Sequence, residues 1–454
     1  MKRVSRRSFL AASAAMSAAP ALAQQPVPTQ QPKQKSTPRP DGVDVIIVGA
    51  GAAGIAAARR LIAGGRRVAI VEAAAEVGGR CVTDTKIFGV PYDRGAHWIH
   101  MPEINPVAKL GTQTGLDIYP APPGQRIRVG RRFARESEME DYLAAQVRAS
   151  TAIADAARRG DVACSQALPK DLGEWRSTIE FFLGPFGCGK DLSEVSAVDF
   201  ARSSERDVDA FCRQGFGTLL TRLAAGLPVQ LNVPATAIEW GARNSSEVVT
   251  ARSRLTAPAA IVTVSTNVLN ARKIKFNPEL PKRQLDALSK LKLGSYDHVA
   301  LELPGNPLGL RSDELILEKS NSPRTASLFS NVSGSTLCMI DVAGSFGRDL
   351  SAKGEKEMVA FALEWLGNLF GTDLKSIVQR RHATRWNEEP NVLGAFSAAS
   401  PGGQPSRRIL MEPLNRMFFA GEAVHETLWG TVGGAWESGE RAAEAILRLF
   451  GGRR

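Results

Sequence analysis

The sequence predicts an α/β protein with a second, α+β unit, and three features of its 454 residues carry that expectation. Val45 to Val48 is a short unbroken apolar run of the kind found in a parallel strand buried on both faces. It leads directly into closely spaced glycines, an Ala-rich helical stretch and a second apolar strand, "RRVAIVEA", that ends at Glu72. Further along, "ESEMEDYLAAQVRASTAIADAARR" and "GEKEMVAFALEWLGNLF" repeat apolar residues at helical spacing, with "DHVALELPG" reading as a strand between them. An apolar content of 43% suffices for two or more packed units.

Gly49, Gly51 and Gly54 fall in GxGxxG spacing between the first strand and its helix. Glycine at these places permits a tight turn, the close approach of a pyrophosphate and helix-to-sheet packing, with Ala53 in the same turn, while an acid at Glu72 accepts from ribose hydroxyls. Strand, turn, helix, second strand and acid in that order predict a dinucleotide site. The spacing alone leaves NAD and FAD both open.

The other end of the chain repeats the device. In "FFAGEAVHETLWGTVGGAWESGERAAEAI" a strand end runs into an aromatic loop and then a helix whose start is stripped to glycine. Helix starts carry free N–H groups and partial positive charge, so an electron-rich group is expected there.

The stretch after the acid separates the cofactors. With "AAAEVGGRCVTD" and "DRGAHWIH" following in order, the chain resembles the flavin-containing amine oxidase family, which includes monoamine oxidases, polyamine oxidases and histone lysine demethylases. The likeness continues through "RQGFGTLLTRLA", "VQLNVPATAIEW", "AAIVTVSTNVL" and "TRWNEEPNVLGAFSAASPG" to the C-terminal segment, covering nearly all of Asp41 to Leu449. It implies a Rossmann-like, discontinuous FAD-binding domain over 41–101, 215–272 and 404–449, with a sheet-plus-helices substrate domain over 102–214 and 273–403. It further implies that Gly79 and Arg80 wrap the diphosphate and that Gly95, Ala96, His97 and Trp98 line the flavin ring. Val233 would meet the adenine through its backbone, Gly421 and Glu422 would hold the ribityl chain, and Thr431 and Val432 would face the pyrimidine edge.

Three departures from the family's pattern bear on chemistry. Ala395 stands where covalent members carry the flavin-linking cysteine, which implies noncovalent FAD. Phe396 and Thr431, with Trp429 nearby, stand at the two walls of the family's aromatic sandwich for the amine, leaving one wall aromatic and the other small and polar. His298 occupies the place of a lysine that holds a water beside flavin N5; a histidine still holds a water, yet need not be charged at neutral pH.

The resemblance implies an enzyme that oxidises the C–H next to an amine nitrogen by hydride transfer to flavin N5, giving an imine that hydrolyses, with dioxygen as acceptor and hydrogen peroxide as product. Rival readings are a periplasmic dehydrogenase using a cytochrome or quinone, an L-amino acid oxidase or desaturase, and a flavin-bearing subunit without turnover. No second GxGxxG unit occurs, which makes NADPH a poor candidate for electron donor.

The formal charge of +11 comes partly from Lys2, Arg3, Arg6 and Arg7 in "MKRVSRRSFLAASAAMSAAPALAQQ", whose basic start, Ala-rich run and small-residue end at Ala23 are the parts of a signal peptide resembling the twin-arginine type. Periplasmic or secreted location is the corresponding expectation, with 24–40 as a Pro/Gln linker. The run is too short for a membrane span, and no Lys/Arg block with interleaved aromatics points to nucleic acid. The remaining basic excess reads as a solvated surface, or as docking for an acidic protein partner, and the oligomeric state is left open. Five scattered cysteines without CxxC, and histidines without HExxH spacing, give no metal site.

Overall fold

The computed structural model describes residues 42–203 and 208–451; the expected signal peptide and linker lie outside the described residues. At its centre is a five-stranded, wholly parallel sheet in the spatial order Val229–Gln230, Val68–Val71, Val45–Val48, Ala259–Val262, Met417–Phe419. The inner strands VIIV, VAIV and AAIV are buried at every position, which is why they read as continuous apolar runs rather than alternating ones.

The two faces of this sheet bury different partners. Val45 and Ile47 pack with Ala57 and Leu61 of the helix Ala52–Ala63 and with Ala442, Ala443 and Ile446 of the helix Val432–Gly451. Ile46 and Val48 face a second sheet through Ile238, Val248 and Ala257. The two helices meet so closely that a Cβ on Gly439 would lie 2.1 Å from the Ala53 carbonyl oxygen. That contact joins the N- and C-terminal glycine-rich segments above the same sheet.

A seven-stranded, largely antiparallel sheet is built from Arg126–Val129, Arg132–Phe133, Tyr296–Glu302, Glu314–Glu318, Ser327–Ser330, Leu337–Ala343 and Arg381–Ala383. Val299 and Leu301 point to the helix Glu355–Phe370 and pack on Met358, Ala362 and Leu366. By the two-residue alternation of a strand, His298 and Ala300 face the other way. Ala300 there joins Tyr92, Phe211 and Phe329, so this face looks onto the segment that carries "DRGAHWIH". The long helix expected from "ESEMEDYLAAQVRASTAIADAARR" spans Glu136–Arg159. No helix among the described residues is long and apolar enough to cross a membrane.

Candidate active site

At the first glycine cluster, Gly49 turns the chain with φ at +107° and its N–H donates to the Val71 carbonyl at 2.8 Å. A Cβ on Gly54 would sit 2.0 Å from the Gly49 carbonyl oxygen, so that glycine is required by the turn itself. Gly51 differs: the nearest atoms to an added Cβ are Gly78 O at 3.8 Å and Gly79 Cα at 3.9 Å, leaving bare backbone from two loops side by side. The helix beginning at Ala52 has no side-chain cap and no acid in its first turn, so its free N–H groups keep their positive end for an anion. Glu72 is buried; Oε2 accepts from Ala50 N at 2.6 Å and Oε1 from Ala74 N at 2.8 Å, tying the strand end to the glycine loop. The Val233 N–H donates to the Glu72 carbonyl at 2.8 Å, which leaves its carbonyl rather than its N–H for an adenine.

Arg80 links this end to the other. Its Nη1 donates to the Ala395 carbonyl at 2.6 Å and to Glu422 Oε1 at 2.9 Å. Glu422 is buried and also accepts from Ser397 N at 3.1 Å, Ser397 Oγ at 2.7 Å and Gly430 N at 2.8 Å. Burial pushes its carboxyl upward, but Arg80, the Ser397 hydroxyl and Arg407 together hold it below the usual carboxylate range. Neighbouring Gly421 donates its N–H to Ser438 Oγ at 2.8 Å, fastening the "AGE" turn to the last helix.

The segment expected to line a flavin is fixed at three successive residues. Trp386 Nε1 donates to the Arg94 carbonyl at 2.8 Å, His298 Nε2 lies 3.0 Å from the Gly95 carbonyl oxygen, and Ala96 N donates to the Arg80 carbonyl at 3.0 Å. His97 Nδ1 is 2.8 Å from Asp93 Oδ2, and its ring stacks on Phe211 at 4.7 Å between centroids. Trp98 meets Phe211 and Phe329 at 4.8 and 5.3 Å. Both ring nitrogens of His298 are taken by protein acceptors, the second being Asp341 at 2.6 Å from Nδ1. It therefore holds backbone where the resemblance implies a held water.

At the C-terminal helix two residues have structural roles beside those expected from the sequence. Thr431, expected as the small polar wall opposite Phe396, is the helix N-cap: its Oγ1 accepts from Gly434 N at 2.9 Å and donates to the Leu428 carbonyl at 2.7 Å. Its hydroxyl is thus already committed to the helix start. Gly434, read as bare for an electron-rich ligand, is required by packing, because a Cβ there would lie 2.1 Å from Leu428 O. The helix start still keeps the N–H groups of Val432 and Gly433 ahead of the capped one. Phe396 lies against this loop, 3.1 Å from the position of a Gly430 Cβ, and its ring is 6.0 Å from that of Tyr296. Trp429 is buried, with the Arg407 guanidinium 5.0 Å from its ring centroid, so it supports the loop from within. His425 Nδ1 accepts from Leu428 N at 2.9 Å and shapes the same loop.

Sequence reasoning missed the support beneath. Arg407 and Asp199, both wholly buried, form a two-pronged pair at 2.7 Å and 2.7 Å, and Arg407 Nη1 continues to Ser397 Oγ at 3.2 Å and the Ala423 carbonyl at 2.9 Å. Lys190 is buried beside it, donating to Ala398 O at 2.7 Å, and burial pushes its amine down to about 8. Neither signals itself in sequence, since Arg407 is one of two arginines in "SRRIL" and its partner lies 208 positions away.

The residues present fit FAD. Two helix starts with unspent N–H groups, a double-glycine cradle at Gly51 and Gly79, and Arg80, whose Nε and Nη2 make no hydrogen bond to the described residues, suit a dinucleotide; Ala395 supplies no thiol for a covalent link. The profile of the family described as flavin containing amine oxidoreductase matches residues 52–447. Over 443 residues the chain is 27% identical to lysine-specific histone demethylase 2 of Homo sapiens, an alignment covering 88% of this chain and 53% of that protein, so it spans about half the length of that relative. It is 26% identical over 443 residues to probable polyamine oxidase 4 of Arabidopsis thaliana, covering 89% and 87% of the two chains. The solved structure of cyclohexylamine oxidase from Brevibacterium oxydans IH-35A shares the fold with a TM-score of 0.77 at 22% identity, over 90% of this chain and 100% of that one. The chain belongs to the flavin containing amine oxidoreductase family, as an FAD-dependent oxidoreductase acting on CH–NH groups.

Proposed function

We propose that this chain oxidises the C–H bond next to the nitrogen of a small aliphatic amine, and that the resulting imine is hydrolysed by water to a carbonyl compound and a smaller amine. Bound FAD supplies the hydride acceptor. The observation that carries the reading is the convergence of the two helix starts through Arg80 and Glu422, with Phe396 lying against the loop that precedes the second. Phe396 and Tyr296 offer aromatic faces against which an amine carbon is oriented and water displaced. Arg80 would hold the diphosphate with the donors it does not spend on Ala395 and Glu422. The substrate class is supported by relatives named as polyamine oxidase, cyclohexylamine oxidase and putrescine oxidase.

Dioxygen is proposed as the electron acceptor, yielding hydrogen peroxide. A cytochrome or quinone acceptor is the second reading, favoured by His298, whose two ring nitrogens are engaged by Asp341 and Gly95. Anaerobic bleaching by a panel of primary amines, polyamines and amino acids tests the first claim, and stopped-flow mixing of the reduced protein with air tests the second. We also propose export by residues 1–23, motivated by the paired arginines and the Ala-rich run, and checked by fractionation of the expressing cells. We further propose a cofactor-binding unit over 41–101, 215–272 and 404–449 and a substrate unit over 102–214 and 273–403, which limited proteolysis of the holoprotein would probe.

A further inference from the structure

His298 and Asp341 are directly opposed on neighbouring antiparallel strands, and Ser327 stands opposite Asp341 on the next. All three are buried. The His298 ring has an acceptor at each nitrogen: Asp341 Oδ1 at 2.6 Å from Nδ1 and the Gly95 carbonyl oxygen at 3.0 Å from Nε2. A carbonyl oxygen can only accept, so Nε2 carries a hydrogen. Asp341 Oδ2 accepts from the Tyr296 hydroxyl at 2.9 Å and from the Ser327 hydroxyl at 3.4 Å, so both of its oxygens face donors. Opposite a carboxylate, Nδ1 carries a hydrogen as well.

We propose that His298 is a standing imidazolium, paired to Asp341, whose Nε2–H pins the Gly95 carbonyl and so positions the segment Gly95–Trp98 against the cofactor ring. It is a positioning residue, and the proposal rests on the amine-oxidase reading for the identity of that cofactor. Among the described residues the charged and titratable groups facing the ring are Asp341 and Tyr296 from the sheet, with Asp297 adjacent along the strand. Burial raises Asp297 above the usual carboxylate range, while Trp386 N and the Thr384 hydroxyl hold one of its oxygens, so Asp341 is the principal counter-ion. For His298, burial works against the charge, but Asp341, the Gly95 carbonyl and Asp297 outweigh it and raise the ring above its ordinary 6.5. The charge is therefore lost only as pH rises through a value above that of a free ring.

The test is 15N-histidine labelling of the holoprotein, whose sequence contains five histidines. The resonance pair lost in His298→Gln should show both nitrogens protonated at about pH 7.5, where a free imidazole is mostly neutral. Asp341→Asn keeps the ring and its bond to Gly95 but removes the counter-ion. It should convert the same pair to a neutral ring protonated at Nε2 alone. His298→Gln removes the cation but leaves the Asp341 carboxylate, and should shift the midpoint potential of the bound flavin downward, because a nearby cation favours the electron-rich reduced state; His298→Lys should hold the potential near that of the wild type. A neutral wild-type ring at that pH, or an unchanged potential in His298→Gln, overturns the proposal. If His298→Gln does not fold, the pair that changes in Asp341→Asn identifies the ring. A wild-type protein that holds FAD but is never reduced by amines would sink the functional reading while the nitrogen shifts still decide the charge state.

Discussion

Nη1 of Arg80 stands 2.9 Å from Oε1 of Glu422, a bond between residues 342 positions apart in the chain. Arg80 follows the first glycine cluster and Glu422 precedes the last helix, so one ion pair closes the two halves of the cofactor site onto each other. The pair is also a junction, since Glu422 receives the Gly430 and Ser397 N–H groups and Arg407 reaches Ser397 from below.

Removing either partner should therefore loosen both halves. Arg80→Ala leaves a buried carboxylate without its cation; because Arg80 is partly exposed, a loss of about 1–3 kcal/mol is expected, below the figure for a fully buried pair. FAD content per chain should fall with it. Thermal unfolding and flavin absorbance at equal protein concentration check both, and full flavin occupancy in the variant would contradict the bridge.

The two kinds of glycine in the first turn make a discriminating pair. Gly54→Ala drives a Cβ into the Gly49 carbonyl and should cost about 1–3 kcal/mol or more whether or not cofactor is present. Gly51→Ala meets no protein atom closer than 3.8 Å, so apoprotein stability should stay close to wild type while affinity for FAD drops. Calorimetric titration of apoprotein with FAD separates the two outcomes.

Asp199→Asn breaks a wholly buried pair with Arg407 and should cost about 3–5 kcal/mol in urea unfolding. Replacing both residues by apolar ones of similar volume should cost less than the single change. The Trp429 loop rests on Arg407, so the single variant should also weaken FAD retention.

Lys190 predicts the sign of an alkaline trend. Burial lowers its folded value to about 8 from an ordinary 10.5, so burying the amine is costly below about pH 8, and stability is recovered as pH rises toward 10.5. Lys190→Met should be neutral or stabilising near pH 7 and should lose part of that alkaline gain. Urea midpoints measured at several pH values give the slope, and an identical slope in both proteins would contradict it.

The legible part of this molecule is local. Gly49, Gly51, Gly54 and Glu72 follow one another along a single turn whose chemistry each residue type betrays, and helices such as Glu136–Arg159 carry their period in the chain. His298 was recognisable as standing in a lysine's place, but its Asp341 partner depends on strand register, which no local pattern shows. Arg407 and Asp199 were invisible for the same reason. The capping role of Thr431 carries a sequence signal of its own, because a hydroxyl residue immediately before a helix start is a common N-cap.

The most direct measurement is anaerobic titration of the purified, yellow holoprotein with a diamine, followed by acid precipitation to release the flavin. Absorbance near the flavin's visible band should bleach in proportion to added amine, and FAD should appear wholly in the supernatant. A colourless protein that takes up no added FAD, or a yellow one that no amine bleaches, would contradict it.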